Sequence, residues 1–205
     1  MQELLAYGAL SFVIGLTGAV APGPMLVATI NASVRDGWKA GPMVVAGHMA
    51  LESILSALVL LGLAAIAMQY FSLVAAAGGI ALVIFGVLSI KGAQVQQSCP
   101  ENVVPSFHPF VAGVVTSASN PYFWIWWLTI GSAFILSGYQ AGMIMAVVFL
   151  GGHWMADLGY FTLVAAAAER GRTLLPERGY RVVLSATGAF LIIFGLYYLF
   201  PVIIS

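Results

Sequence analysis

The sequence predicts an all-α membrane protein: six transmembrane helices forming two inverted three-helix repeats, with helices 1 and 4 broken. Three observations lead there: an apolar composition, basic residues confined to alternate connections, and motifs that recur in order. The 205 residues are 61% hydrophobic and 7% charged. A soluble domain carries about 25% charged residues. Seven basic residues balance seven acidic ones, leaving no basic patch to neutralise nucleic-acid phosphates. The single Cys99 can form no internal disulfide and lacks partners for a cysteine-based metal site. "AVA" (19–21) mimics a signal-peptide cleavage site, but residues 1–16 hold no Lys or Arg for a positive n-region. Cleavage there is not expected.

A helix crosses the bilayer core with about 20 apolar residues. Six stretches qualify, at about 4–33, 40–68, 71–93, 108–137, 140–168 and 180–201. Polar or breaker-rich connections join most of them: "RDGWKAG", "KGAQVQQSCPENVVPS", "SGYQAG" and "ERGRTLLPERGYR". The turn near "MQY" (68–70) carries no charge.

Arg35 and Lys39 follow span 1, Lys91 follows span 3, and Arg170, Arg172, Arg178 and Arg181 follow span 5. With six alternating crossings, every basic residue falls on one face. Basic loops stay cytoplasmic, so both termini are expected outside a multi-pass protein of the cell membrane.

"AGHMALE" (46–52) matches "GGHWMAD" (151–157), each a Gly-His-x-x-x-carboxylate. "GIALVIFGVLSI" (79–90) matches "GAFLIIFGLYYL" (188–199), aligning Gly79 with Gly188, Phe85 with Phe194 and Gly86 with Gly195. "FVIGLTGAVAPGP" (12–24) matches "FVAGVVTSASNPY" (110–122), aligning Phe12 with Phe110 and Gly15 with Gly113. Spans 1–3 thus correspond to spans 4–6. An odd-numbered repeat enters the membrane from opposite sides, a construction common in secondary transporters. The expected division is 1–94 for the first repeat, 95–107 for a cytoplasmic linker and 108–205 for the second.

Both first spans carry breakers, Pro22-Gly23-Pro24 and Asn120-Pro121. Proline inside a helix removes a hydrogen bond and clashes with the preceding turn. Backbone groups freed in this way need a protein-lined or wet cavity, and half-helix N-termini attract anions. A plain proline kink filled by neighbouring helices is the other reading. Tyr122, Phe123 or Trp126, in "NPYFWIWW", either line such a cavity or sit at the membrane interface.

Glu52 and Asp157 lie well inside spans 2 and 5. An intramembrane carboxylate is costly when ionised and unpaired, which marks it as functional. His48 and His153 precede them by four residues, on the same helix face. Three readings stay open. The carboxylates bind a substrate ammonium in competition with protons, since burial disfavours their charge and a bound cation favours it. Alternatively His48, Glu52, His153 and Asp157 ligate a divalent metal, for export or, less favoured, in an intramembrane metalloenzyme. Or the pairs are structural. The candidate substrate-binding residues are Pro22, Gly23, Pro24, Asn120, Pro121, Glu52 and Asp157. The candidate proton-coupling residues are Asp157, Glu52, His48 and His153. No cofactor is expected. The expected partners are a small-molecule substrate, protons and membrane lipid, with a homo-oligomer left open.

"APGPMLVATINASVRDGWKAGPMVVAGH" (21–48), "SNPYFWIWW" (119–127) and "HWMADLGY" (153–160) together resemble the LysE family of lysine and homoserine/threonine exporters. The likeness covers nearly the whole chain. It implies proton-driven export of amino acids or related small metabolites, not an enzyme. The Pro-Gly-Pro, the Asn-Pro and Asp157 correspond to family motifs. A wider superfamily includes metal-ion exporters.

Overall fold

The computed structural model describes residues 1–21, 23–62, 71–95, 107–174 and 177–204. They are helical, with no strand among them. The elements are α1 (Gln2–Ala19), α2 (Pro24–Asp36), α3 (Ala40–Leu60), α4 (Phe71–Val95), α5 (Pro109–Ala118) and α6 (Pro121–Trp126). A π-helical turn (Trp127–Gly131) then leads to α7 (Ser132–Ala141), α8 (Met143–Leu174) and α9 (Glu177–Ile204). Pro22, most of the 95–107 linker with Cys99, and the end of the second expected span lie outside the described residues.

Three prolines start helices. Pro24, Pro109 and Pro121 each open a helix, where the missing N–H is one no helix satisfies internally. The chain turns by 82° between α1 and α2. The second break is shorter. Ser119 caps α5, and Asn120 caps α6 by accepting the Tyr122 N–H at 3.1 Å. The Trp124 indole N–H donates to the Ala118 carbonyl at 2.8 Å, satisfying a group that the end of α5 exposes. The π turn was not legible in the sequence. Thr129 and Ser132 hydroxyls bond back to the carbonyls of Ile125 and Leu128, at 2.6 and 2.9 Å, around Gly131.

Among the described residues, Ala40–Leu60 and Met143–Gly171 are each long and apolar enough to cross a membrane, and the bent α1–α2 pair qualifies together. Ala76–Leu88, Pro109–Ala118 and Ser185–Tyr197 are shorter apolar stretches. Six full-length apolar spans, as expected from sequence, are therefore not all present as single helices. The breaks divide spans 1 and 4.

Four helix pairs position the site. α4 packs on α9, α1 on α8, α3 on α5, and α3 also meets α8. Small residues set how close they come. A Cβ on Gly79 would lie 2.8 Å from the Gly195 carbonyl, and one on Gly188 would lie 2.7 Å from that of Gly86. Between α1 and α8, a Cβ on Gly152 would lie 2.5 Å from the Gly8 carbonyl. Between α3 and α5, one on Gly47 would strike the Phe110 carbonyl. Such approaches let helices pack without a water-driven force between them.

Candidate functional site

α3 presents His48 and Glu52 one turn apart, and α8 presents His153 and Asp157 in the same way. The four side chains meet. Glu52 is fully buried, and Oε1 lies 3.0 Å from His48 Nε2 and 2.9 Å from His153 Nε2. The Trp127 indole N–H donates to the same oxygen at 3.0 Å. Asp157 Oδ2 lies 3.4 Å from His153 Nε2 and 3.9 Å from His48 Nε2. Neither contact has hydrogen-bond geometry, so Asp157 Oδ2 is buried within ion-pair distance of both rings but without a hydrogen bond, and Glu52 Oε2 likewise makes no hydrogen bond.

The histidines differ in what holds them. His48 Nδ1 lies 2.6 Å from the Ser117 hydroxyl. If its Nε2–H faces Glu52, Nδ1 accepts the Ser117 proton and the neutral tautomer is fixed. His153 Nδ1 is buried without a partner, and Gly15 lies beside it. Trp126 stacks on His153 with ring centres 4.7 Å apart, and Phe123 meets His48 edge-on at 5.3 Å.

These groups face a cavity of about 200 Å³. Ala21 and Gly23 from the first break and Asn120 from the second line it. The two breaks touch: a Cβ on Gly23 would lie 3.5 Å from Asn120 Nδ2. Pro24 and Pro121 are buried as the first residues of α2 and α6. So Gly23, Asn120, His48, Glu52, His153 and Asp157 converge on one space, whereas Pro24 and Pro121, expected to bind substrate, are not among the residues that line it. Tyr122, Phe123 and Trp126 all line it.

Sequence reasoning missed Ser117, Trp127, Met25, Leu26, Phe161 and Phe194, which also line it. Ser117 carries no motif of its own, and its role depends on how α5 packs against α3. Trp127 was hidden in an aromatic run that a regular helix would spread around its circumference. The π turn that begins at Trp127 leaves both Trp126 and Trp127 buried.

The donor set also bears on a metal. One ligand atom each from His48, Glu52 and Asp157 lie within 4.8 Å of one another, and imidazole with carboxylate suits zinc. The Trp127 N–H on Glu52 Oε1 is a donor that cannot ligate, so a metal would use Glu52 Oε2 or displace the indole.

The model of the LysE type translocator family matches residues 16–200. The chain belongs to this family. Membership makes it a membrane protein and, at the level of the family, a translocator of small molecules and not an enzyme. No curated protein and no solved structure matches the chain significantly. The converging breaks and carboxylates lie within the residues matched to the LysE type translocators.

Proposed function

We propose that this chain is a secondary-active exporter of amino acids or related small metabolites across the cell membrane, driven by proton antiport. The observation that carries the reading is Asp157 Oδ2, buried without a hydrogen bond beside the His153 and His48 rings, on the wall of a cavity that both helix breaks line. A proton or a substrate ammonium can relieve that group, but both cannot do so at once. Mutual exclusion at one carboxylate is the physical basis of exchange.

The same proposal includes two inverted repeats, six crossings and both termini outside. Paired contacts support it. Ser11 donates to the Phe149 carbonyl, and a Cβ on Gly113 would strike the Val44 carbonyl, four residues before each histidine. Gly15 then faces His153 as Ser117 faces His48. Gly8 meets Gly152 as Phe110 meets Gly47. These three pairs share one register, a helical turn away from the Gly15–Gly113 alignment of the bare sequence.

The test uses purified full-length chain in vesicles with an imposed pH gradient. Labelled amino acids should move uphill against the proton flux and stop when a protonophore collapses the gradient. Transport of a divalent cation instead, with an anomalous scattering peak among His48, Glu52, His153 and Asp157, would replace this reading with metal export.

A further inference from the structure

Glu52 Oε1 takes three contacts, and they are not alike. His48 Nε2 and His153 Nε2 lie 3.0 and 2.9 Å away. A nitrogen of neutral imidazole donates or accepts according to its tautomer. The Trp127 indole N–H, at 3.0 Å, can only donate. The indole therefore holds Oε1 as an acceptor whichever tautomers the histidines adopt. It also fixes which oxygen is left over: Oε2 is buried without a hydrogen bond.

Trp127 is itself held in place. It is 1% exposed and opens the π turn. Its ring meets His153 edge-on at 5.4 Å. Its neighbour Trp126 stacks on the same imidazole at 4.7 Å. Two consecutive indoles thus reach both His–carboxylate pairs: Trp127 bonds Glu52 of α3, and Trp126 covers His153 of α8.

Gly131, buried, closes that π turn. A Cβ there would lie 2.7 Å from Trp127 Cε3, 3.0 Å from Trp127 Cδ2 and 3.0 Å from Trp126 Cζ3. Packed carbon atoms sit about 3.5–4.0 Å apart, so the rings would have to yield. Trp127 would then leave Glu52, or Trp126 would leave His153. π turns recur at functional sites, and the missing side chain of this one makes room for both indoles.

We infer that Trp127 is a positioning residue of the exchange site, its N–H orienting the Glu52 carboxylate, and that Gly131 is the residue that admits it. This rests on the export reading above and adds two residues to that site. Trp127 need not touch the substrate. It acts through Glu52, which lines the cavity.

Two measurements on the purified full-length chain test this. The first is the NMR spectrum of the isotope-labelled indole N–H groups. The peak that Trp127→Phe removes should shift in Glu52→Gln and in Gly131→Ala. It should stay in place in Ile130→Ala, which alters the exposed side of the same turn. The second is uphill amino-acid flux in vesicles, per folded chain, with Trp127 replaced by benzothienylalanine. That residue keeps the shape of the ring and lacks the N–H. Flux should fall at least about tenfold, because small displacements of a positioned group are costly. Gly131→Ala should lose as much, and the two changes together no more than either alone, since both remove one contact. Unchanged flux with benzothienylalanine would mean that the ring only packs, and overturns the inference while export stands. An indole peak that ignores Glu52→Gln does the same. Absence of uphill flux from the wild-type chain overturns the export reading and the role assigned to Trp127 together.

Discussion

The Ser117 hydroxyl lies 2.6 Å from Nδ1 of His48, fastening α5 to α3 at the level of the candidate site. Ser117→Ala leaves that buried nitrogen without its partner. The expected loss is about 1–3 kcal/mol, read as a lower unfolding midpoint of the detergent-purified chain. An unchanged midpoint would mean that the bond contributes nothing to stability.

Gly15 holds the matching place beside His153. An added Cβ would lie 2.8 Å from His153 Nδ1, 3.1 Å from Ala156 Cβ and 3.2 Å from His153 Cα. The ring could turn, but the backbone atom cannot move without shifting α8. Gly15→Ala should destabilise by about 1–3 kcal/mol, as overpacking does. Gly151→Ala, where a Cβ meets nothing within 4 Å, should leave the midpoint unchanged or raise it. Equal behaviour of the two variants would contradict the close approach.

Glu52 and Asp157 should fail in different ways. Glu52 serves three donors, so Glu52→Gln should lower both stability and transport. Asp157 Oδ2 makes no hydrogen bond. Asp157→Asn should therefore spare the fold and abolish uphill export, leaving slow downhill exchange. Full uphill transport by both single variants and the double variant, with unchanged pH dependence, would make these residues structural.

The sign of the pH response follows from the direction of exchange. Each proton enters as substrate leaves, so acidifying the outside at constant internal pH should speed export by the wild-type chain. Acidifying the inside alone should slow it. Flux measured at matched membrane potential separates this from a voltage effect. Indifference to both gradients would exclude proton coupling.

Orientation is checked by labelling from outside the cell. In a Cys99→Ser background, Gln2→Cys should react with a membrane-impermeant thiol reagent, and Gly171→Cys should not. The reverse pattern would invert the topology derived from the seven basic residues.

The helices were legible in the sequence because apolar length and breaker residues are local signals. Pro24 and Pro121 mark helix starts wherever the rest of the chain lies. His48 with Glu52, and His153 with Asp157, stood out because ionisable groups one turn apart are rare in apolar segments. What joins the pairs was not legible. The sharing of Glu52 Oε1 by both histidines and Trp127 depends on the distance between α3 and α8. That Trp127 reaches it depends on the π turn. The register of the two halves was also obscured. Phe12 with Phe110 is a good match of letters, but packing pairs Gly8 with Phe110, because contact follows backbone proximity and not side-chain identity.

The glycine crossing of α4 and α9 has a mechanical consequence. Gly79 with Gly195, and Gly86 with Gly188, bring backbone against backbone. Such a contact has no rotamers to adjust, and sliding by one residue would drive a side chain into a carbonyl. It also depends on van der Waals fit more than on expelled water, so changes in cavity hydration leave it untouched. Two helices held in this way should move as one plate. Phe194, on α9, lines the cavity, so a movement of that plate carries one wall of the cavity as a single piece.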